Sequence, residues 1–538
     1  MTTAPPGSWP VLHCFLRTGP EAVDAFLVED LAPLLDGLVA EGRAAGWAFV
    51  RHEEGGPHLR VRVLGALRPG ASAELASVVR RSAEARAVET GAGAGAAEVR
   101  EVARVPDDAG PGAPLGPGAR EEVAALSARV AVDCVAGTGR GSRRLAVAAD
   151  LAHATAWALG LDRFEAARWL RGCAVRRLGS PAAPLLPARL VHAQVNAVYA
   201  AQRESLAGRA AALREALAEG TVAGPVARWA AGVRAAAGAP GRSEVWGSEL
   251  HLLFNRLGVA PDEERAVYRL AAHALLDNGE PPAYFPQGHL APDWRYLERS
   301  KVRVGWDAEG SLRPAPEEAV PDGPEVALPG GPVPEVSLWA AVTGRTSVRK
   351  GLTGPLSAEL LGTLLWGAHA TSHTTGSGAP FPHRPYPSPG GLYAAGLRLF
   401  AFGVEGLAPG TYQCVPGRRA LRRVGDPPAL EELKAVSAYM TAPASDPLAV
   451  VVDEVPVVLG LYVDLGRLRQ RYGLRALRLG LLEAGHLAQS LLLTASALGL
   501  SAMPLGGFQD DLAHELFGLD DLDRPLQYLL PLGRAGTV

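Results

Sequence analysis

The alternation of apolar and polar residues is clearest in one short segment, residues 47–64. Strand-forming residues flank the turn-forming run Gly55-Gly56-Pro57, and this pattern predicts two strands joined by a turn. The second strand interleaves two sets of side chains, polar His58, Arg60 and Arg62 and apolar Leu59, Val61 and Val63. Because successive side chains of a strand point to opposite faces, we expect one face to join the core and the other to present two guanidinium groups and an imidazole.

Helical periodicity dominates elsewhere in the chain. Residues 119–276 are rich in Ala, Leu and Arg and predict several long helices. Within them His251 and Asn255 are four residues apart and therefore share a helix face. In the second half, Ser357 precedes an apolar helical pattern and is expected to cap that helix, while residues 474–500 predict a strongly apolar helix.

The chain is too long for a single hydrophobic core. It has 538 residues, whereas single cores stop growing at roughly 250–300 residues. Residues 306–335 are mainly Pro, Gly, Glu and Asp, a composition that buries too little apolar surface to fold alone. We therefore predict an α+β protein of two domains joined by a linker over 306–335. Residues 1–305 would hold a mixed sheet with long helices, and residues 336–538 a second α+β fold.

Charge and cysteine usage argue against several classes of protein. The net charge of −3 gives no overall field that would attract nucleic acid. The four cysteines are far apart, so neither a disulfide framework nor a thiolate metal site is expected, and we predict no metal. No apolar stretch reaches the roughly 20 residues that span a bilayer, and no secretory segment is recognisable. We expect a cytoplasmic protein.

Two motifs in the N-terminal half resemble those of one enzyme family. The first is Trp47-x-Phe49-x-Arg51, a Gly-Pro turn and His58-Leu-Arg60-x-Arg62, and the second is His251-x-x-x-Asn255-Arg256-Leu-Gly258. Both are similar to motifs in the glutamate-elimination domain of LanB-type lantibiotic and thiopeptide dehydratases. The residue pattern alone favours an ordinary solvated sheet face, and the resemblance shifts the interpretation towards a functional face.

The resemblance implies a chemistry that suits these residues. The family removes glutamate from an ester on Ser or Thr of a peptide and leaves dehydroalanine or dehydrobutyrine. Arg60 and Arg62 are then expected to anchor the glutamyl carboxylate and to stabilise the charge that develops during elimination. His251 is the expected proton-handling residue, because the pKa of histidine ordinarily lies near neutral pH.

The resemblance leaves two points open. The family has a further arginine in a segment that ends in Tyr/Phe-Gly-Gly. That ending is absent here, and Arg100, Arg104 and Arg120 remain alternatives for a third catalytic arginine. The glutamylating domain of the family is also absent, so a separate glutamylating enzyme is an expected partner. A different alternative is that the N-terminal domain is a non-catalytic module that binds peptide.

A series of short motifs in the C-terminal half matches a second family in order and spacing. The motifs are Arg345-Thr-Ser347-Val-Arg349, Tyr386-Pro-Ser388-Pro-Gly390-Gly391-Leu-Tyr393, Gly406-Leu-x-Pro-Gly410-x-Tyr412, Glu483-Ala-Gly485-His486-x-x-Gln489, Pro504-Leu-Gly506-Gly507-Phe508 and Leu532-Gly533-Arg534. Two cations beside a hydroxyl group suit a phosphate, and glycine lets the backbone approach a flat ring. Over residues 336–538 the series resembles the SagB-type azoline dehydrogenases of the nitroreductase superfamily.

This second resemblance implies a cofactor and the residues that hold it. FMN is expected, with its phosphate at Arg345, Ser347, Arg349 and Arg534. Its ribityl chain and ring are expected at Ser388, Gly390, Gln489, Leu505 and Gly506. Members of the family are dimers with flavin at the subunit interface, so a homodimer through the C-terminal domain is the expected assembly. His486, which lies in a strongly apolar helix, is expected to be buried.

Proton removal in the azole-forming members depends on a Lys-Tyr pair, and the matching residues here are Arg471 and Tyr472. Arginine is a poor base because it stays protonated. We therefore assign proton removal to Tyr472 with an unidentified helper, and an electrostatic role to Arg471. The two resemblances together predict a bifunctional enzyme of thiopeptide maturation that acts on a ribosomal precursor peptide alongside a cyclodehydratase. The alternative for the C-terminal domain is a general flavin reductase of small molecules.

Overall fold

The computed structural model describes residues 11–64, 71–102, 117–175, 185–237, 243–276, 292–301, 322–332, 334–375 and 381–535. The chain divides into two compact units, Met1–Asn278 and Gly279–Val538. The domain and linker bounds inferred from the sequence remain a prediction. In the structure, a helix over Pro292–Arg299 and a strand over Glu325–Ala327 belong to the second unit.

The first unit contains a small sheet. Its strands are β1 (Val11–Leu16), β2 (Gly46–His52), β3 (His58–Leu64) and β4 (Ala97–Val102), in the order β2-β3-β1-β4. Every pairing among these strands is antiparallel, which corrects the expectation of a mixed sheet over the described residues. β2 and β3 form the predicted hairpin, in which Gly55 and Gly56 have φ of 78° and 106°. A hairpin turn joins strands in antiparallel fashion.

Helices make up most of the rest of the first unit. They are α1 (Pro20–Ala25), a π-helical segment (Phe26–Leu31), α2 (Ala32–Ala40), α3 (Ala71–Glu89), α4 (Pro117–Gly137), α5 (Ser142–Ala158), α6 (Arg163–Val175), α7 (Ala188–Glu219), α8 (Gly224–Ala237), α9 (Ser243–Leu257) and α10 (Pro261–Leu276). The prediction of long helices over 119–276 is confirmed for the described part of that range.

One hydrophobic core joins the sheet to these helices. Leu59, Val61 and Val63 are at most 1% exposed and pack with apolar residues of the helices. The opposite face is not a solvated surface, because only 5% of His58 and 4% of Arg60 are exposed. The solvated interpretation is therefore wrong for these two residues. β3 is an inner strand, and the rings of His13 and Phe15 on the neighbouring strand β1 pack against His58.

The second unit is organised by a larger sheet. The strands of this unit are β5 (Glu325–Ala327), β6 (Leu352–Thr353), β7 (Leu356–Ser357), β8 (His373–Thr375), β9 (Phe381–His383), β10 (Ala395–Ala401), β11 (Val404–Glu405), β12 (Gly410–Val415), β13 (Ala420–Gly425), β14 (Val457–Val463), β15 (Ser501–Ala502) and β16 (Leu526–Ala535). β7 and β11 form a separate two-stranded sheet, as do β8 and β9. The main order is β15-β16-β14-β10-β12-β13-β5, and β6 also pairs with β16. β5 lies within the segment predicted to be a linker.

The second unit also contains helices. They are α11 (Pro292–Arg299), α12 (Leu338–Gly344), α13 (Ala358–His369), α14 (Leu430–Ala435), α15 (Ala438–Thr441), α16 (Leu465–Tyr472), α17 (Ala476–Ala497) and α18 (Asp510–Phe517). Buried residues of α13 and α17 join the sheet in one core. The predicted cap is confirmed, since Ser357 Oγ accepts a hydrogen bond from Leu360 N at 3.1 Å. None of the described helices has both the length and the apolar character needed to span a bilayer.

Candidate active sites

The polar face of the first sheet gathers imidazole and guanidinium groups from three strands. His58, Arg60 and Arg62 alternate along β3. The antiparallel register places His13 of β1 opposite Arg60 and places Arg100 of β4 opposite His13. Directly opposed residues of antiparallel strands point to the same face. The expected anchors Arg60 and Arg62 therefore share one surface with two histidines.

The two histidine rings of this face pack on each other. The His58 ring stacks on His13 with centroids 4.6 Å apart and lies 4.4 Å from the Phe15 ring. Its Nδ1 is 2.9 Å from the carbonyl oxygen of Gly56. Burial lowers the pKa of His13 to about 4, and the nearby His58 and Arg60 add to this effect. Burial also lowers the pKa of His58. Both rings are therefore neutral at neutral pH.

A third arginine of the elimination site stays unassigned. Arg100 Nη2 donates to Glu98 Oε2 at 2.9 Å, and its guanidinium carbon lies 5.0 Å from the centre of the Phe15 ring. Arg120 lies in the first turn of α4, and Arg104 lies outside the described residues. Because Arg100 is paired with a carboxylate of its own strand, a substrate carboxylate would have to compete with Glu98.

A buried carboxylate orients the ring of His251 on α9. His251 Nδ1 lies 2.8 Å from Glu264 Oε2, and the Tyr268 hydroxyl donates to Glu264 Oε1 at 2.8 Å. Glu264 itself is only 6% exposed. A carboxylate bound to one imidazole nitrogen fixes the ring and stabilises the charge that it gains on accepting a proton. The arrangement is suited to a general base that acts through Nε2.

Two other residues of the same helical motif fasten α9 to the sheet. Asn255 Oδ1 accepts from Arg51 N at 2.8 Å, and Asn255 Nδ2 donates to the Arg51 carbonyl oxygen at 2.9 Å. Arg256 Nε donates to the Phe49 carbonyl oxygen at 2.7 Å. Arg51 and Phe49 belong to β2, so the motif bonds the helix to that strand. His251 shares a helix face with Asn255 and lies one turn away from this attachment.

A cluster that sequence reasoning missed supports the end of α9. Asp24 pairs with Arg51 Nη2 at 2.6 Å and with Arg144 Nη1 at 2.7 Å. The same arginines donate to the last carbonyl groups of α9, those of Arg256 and Leu257. Burial alone would raise the pKa of Asp24, but the surrounding guanidinium groups hold it below its ordinary value. The partners are too far apart in sequence to leave a local signal.

In the second unit, residues expected to bind phosphate converge on one end of the sheet. Ser347 forms a β-bridge with Ala502, which in turn pairs with Leu532, two residues before Arg534. Arg345 Nη1 lies 3.4 Å from Ser347 Oγ. Ser347 and Arg534 are exposed. This end of the sheet therefore presents cations and a hydroxyl group to a ligand.

The turn at Pro389–Gly391 lies against the last residues of α16. Asp464 caps the start of that helix with its side chain, and the helix ends at Tyr472. Gly390 has φ of +58°. A β-carbon at this position would overlap the Tyr472 hydroxyl and would lie 3.3 Å from Arg471 Cζ. The structure thus brings Gly390 against Arg471 and Tyr472, although Gly390 is far from these two residues in sequence.

Glu483 of α17 holds this turn in place and is fully buried. Its Oε2 accepts from Ser388 Oγ and its Oε1 accepts from Ala395 N, both at 2.8 Å. Ser388 Oγ also accepts from Tyr393 N at 2.8 Å. Burial raises the pKa of Glu483, while its two hydrogen bonds act in the opposite direction. The Ser388 hydroxyl thus donates its only hydrogen to Glu483, and a flavin could use only its remaining lone pair or other atoms of this residue.

A cavity of about 510 Å³ opens beside the same turn. Ser388, Gly391, Tyr386 and Tyr393 form part of its wall. Arg384 also lines it, with its guanidinium carbon 4.9 Å from the centre of the Tyr393 ring and its Nη1 3.3 Å from the Tyr386 hydroxyl oxygen. A flat cation beside tyrosine rings suits a planar, polar group of a substrate.

The other residues expected at the cofactor are spread over the second unit. The carbonyl group of Arg349 accepts from Val451 N at 2.8 Å. Leu505 exchanges backbone hydrogen bonds with Leu529 of β16, and Gln489 and Gly506 are exposed. Among the described residues no group of His, Cys, Asp and Glu side chains is arranged to hold a metal ion.

His486 corrects one prediction, because it is exposed rather than buried. The buried side of α17 includes Glu483 and Leu487, and His486 lies off that stripe. Leu481 and Leu482 on the same helix are 48% and 60% exposed. The apolar composition of α17 therefore reflects an exposed apolar face in addition to the buried one.

Two families together cover most of the chain. Residues 9–275 match the family described as Lantibiotic biosynthesis dehydratase C-term, and residues 342–534 match the Nitroreductase family. The protein is therefore a fusion of a lantibiotic dehydratase C-terminal domain, the elimination domain, with a nitroreductase-family domain.

Individual relatives match one half or the other. A Methanocaldococcus jannaschii protein provisionally named nitroreductase MJ1384 is 28% identical over 213 residues, which are 40% of this chain and 98% of that protein. The tRNA-dependent lantibiotic dehydratase MibB of Microbispora sp. 107891 is 21% identical with a TM-score of 0.32, over 51% of this chain and only 28% of that one. A provisionally described nitroreductase of Exiguobacterium sibiricum in complex with FMN is 16% identical with a TM-score of 0.26, over 38% and 90% of the two chains.

Proposed function

We propose that this protein is a bifunctional enzyme of thiopeptide maturation. The first unit eliminates glutamate from glutamylated Ser or Thr of a ribosomal precursor peptide, and the second oxidises azolines of that peptide to azoles with FMN. The observation that carries the proposal is the contact of Arg471 and Tyr472 with Gly390. It sets a proton-handling pair against the turn that the resemblance assigns to the flavin ring. The fused elimination domain narrows the substrate to a modified peptide.

The elimination step needs an anchor, a base and stabilisation of developing negative charge. Arg60 and Arg62 supply the anchor, because guanidinium groups pair with carboxylates through two hydrogen bonds. His251 Nε2 takes the α-proton of the esterified residue, and Glu264 stabilises the imidazolium that results. The electrons of the Cα–H bond form the Cα=Cβ double bond as the Cβ–O bond breaks. Glutamate leaves as a carboxylate.

The described residues fit FMN in two respects. Arg345, Ser347 and Arg534 present cations and a hydroxyl group where a phosphate is expected. Gly390 has no side chain to cover its backbone, so a flat ring can approach the turn. When bound, FMN would supply the two-electron oxidation of the azoline. Tyr472 would receive the proton from the ring carbon, and the positive charge of Arg471 would stabilise negative charge near that hydroxyl group.

We also propose that the second unit forms a homodimer. Leu338 and Trp339 of α12 are 74% and 75% exposed, and α12 packs on α17, where Leu481 and Leu482 are exposed as well. Large exposed apolar surfaces on globular proteins mark interaction sites. A second copy of this chain is the partner that the family resemblance favours.

The pairing of Arg100 with Glu98 favours one alternative function. Without an assigned third arginine, the first unit could bind the precursor peptide and present it to the dehydrogenase without eliminating glutamate. The same polar face would then serve recognition rather than catalysis. The two functions differ in one observable, the loss of glutamate from the peptide.

The test uses the purified full-length protein, first checked for a flavin absorption spectrum. A separate glutamylating enzyme and a cyclodehydratase would prepare a precursor peptide with glutamyl esters and azolines, and its mass would be followed. Loss of glutamic acid at each ester and of two hydrogens per ring supports the proposal. Ring oxidation with retained glutamate supports the binding module. Flavin turnover with small nitro compounds and an unchanged peptide would refute both.

A further inference from the structure

Two buried ring nitrogens on the polar face lack a hydrogen-bond partner among the described residues, Nε2 of His13 and Nε2 of His58. Only 5% of His58 is exposed, and its ring is stacked on His13. A buried polar atom without a partner destabilises a fold. Two such atoms beside Arg60 and Arg62 point to a ligand that brings hydrogen-bonding groups to this face.

The hydrogen bond of His58 defines which ring nitrogen can accept. Its Nδ1 lies 2.9 Å from the carbonyl oxygen of Gly56. A carbonyl oxygen only accepts, so Nδ1 carries the hydrogen and Nε2 of the neutral ring presents a lone pair. The lowered pKa values of His58 and His13 keep both rings neutral at neutral pH. His58 Nε2 is therefore an acceptor, and it cannot itself bind a carboxylate.

The surrounding charges are mainly positive. Arg60 and Arg100 lie opposite His13 on the two neighbouring strands, and His52 lies opposite His58. The negative charge of nearby Glu54 has the opposite effect and favours the protonated form of His58. A carboxylate would go to the guanidinium groups, and an N–H donor would go to the imidazole lone pairs. A ligand that offers both groups close together is an aminoacyl group.

We propose that the stacked pair of His13 and His58 binds the amino group of the glutamyl ester, with His58 Nε2 accepting one of its N–H bonds. The inference rests on the proposed elimination function. Whichever carboxyl group of glutamate forms the ester, the other carboxylate and the amino group remain free. Arg60 and Arg62 bind the carboxylate, and the histidine pair makes the site selective for an ester that carries an amino group. No bond forms or breaks in this recognition step.

The test compares two peptide substrates that differ only in the amino group. One carries a glutamyl ester on serine, and the other carries the glutaryl ester, which has the same carbon chain and carboxylate. The wild-type protein is expected to eliminate the glutamyl group about 10-fold more efficiently in kcat/KM, the effect of one hydrogen bond between neutral groups. His58→Phe should keep the ring stacking on His13 and Phe15 and bring the ratio of the two kcat/KM values close to one.

His52→Phe is the matched control. The His52 ring is 5.3 Å from His58, but its Nδ1 already accepts from Glu54 N at 3.2 Å. This variant should retain the wild-type preference, and the thermal unfolding profile of each variant checks that its first unit is folded.

Equal elimination of the two esters by the wild-type protein would overturn the inference while leaving the elimination function intact. An unchanged preference in His58→Phe would do the same. If the wild-type protein eliminates neither ester, the elimination function fails and the inference fails with it.

Discussion

The hydroxyl group of Tyr472 occupies space that a β-carbon on residue 390 would need. The contact joins the end of a helix to a glycine turn, and the turn is fixed from its other side by Glu483. Gly390 and Glu483 can each be substituted separately, so the importance of this contact for activity can be tested.

Gly390→Ala should abolish most of the azoline oxidation. The added methyl group collides with Tyr472, and φ of +58° is unfavourable for alanine. A displacement of about 1 Å can lower a rate about 100-fold, and we expect a loss of that order in kcat with glutamate elimination unchanged. Gly403→Ala is the control, since a β-carbon there meets no atom within 4 Å. Equal activities of the two variants would argue against a role for the Tyr472 contact.

Glu264→Gln should lower kcat for glutamate elimination by about 100-fold, the usual contribution of a general base. The amide can still accept from Tyr268, but it cannot balance a charge on His251. KM and azoline oxidation should stay close to wild type. Glu263→Gln is the neighbouring control, because the Glu263 carboxylate accepts from Ala260 N at the start of α10. An active Glu264→Gln enzyme would show that the proton transfer does not depend on the Glu264 carboxylate.

Arg345→Ala should weaken FMN binding about 10-fold, since one charge-assisted hydrogen bond to phosphate is lost. Lys350→Ala is the control from the same loop, because the Lys350 ammonium group donates to the Ala444 carbonyl oxygen at 2.6 Å. Flavin fluorescence titration of the two variants measures the difference. Equal weakening in both would point to overall charge rather than a specific phosphate contact.

Glu483→Leu should lower the free energy of unfolding by about 2–4 kcal/mol, because it removes the buried acceptor of Ala395 N and of Ser388 Oγ. Glu483→Gln keeps an acceptor oxygen and should be milder. The pKa of Glu483 is raised above its ordinary 4.5, so the folded state holds the proton more tightly than the unfolded state. The stabilisation should therefore decrease as pH rises from 4.5 through the raised value. Urea unfolding at several pH values should show this slope in wild type and not in Glu483→Gln, and parallel slopes would contradict it.

The parts of the fold that sequence reasoning predicted depend on local signals. The hairpin of β2 and β3 follows from a two-residue alternation and from Gly55 and Gly56 in the turn. The start of α13 follows from Ser357, which needs only its own helix to act as a cap. Such features are encoded within a few residues, so no knowledge of distant contacts is required.

The parts that sequence reasoning missed depend on distant partners. The burial of Arg60 depends on the pairing of β3 with β1, which places His13 opposite Arg60. The position of Tyr472 against Gly390 requires α16 to pack beside a turn about eighty residues earlier in the chain, a separation that leaves no local pattern. For His486, an apolar helix composition suggested burial, but it could not reveal that α17 has two apolar faces.

The double hydrogen bond between Asn255 and the backbone of Arg51 has a consequence for solubility. β2 is the outer strand of its sheet, and the unpaired N–H and C=O groups of such strands can recruit a strand of another molecule. The amide of Asn255 occupies both groups of Arg51 and so blocks strand addition at that point. A residue that the resemblance groups with a catalytic histidine thus also protects the sheet against aggregation.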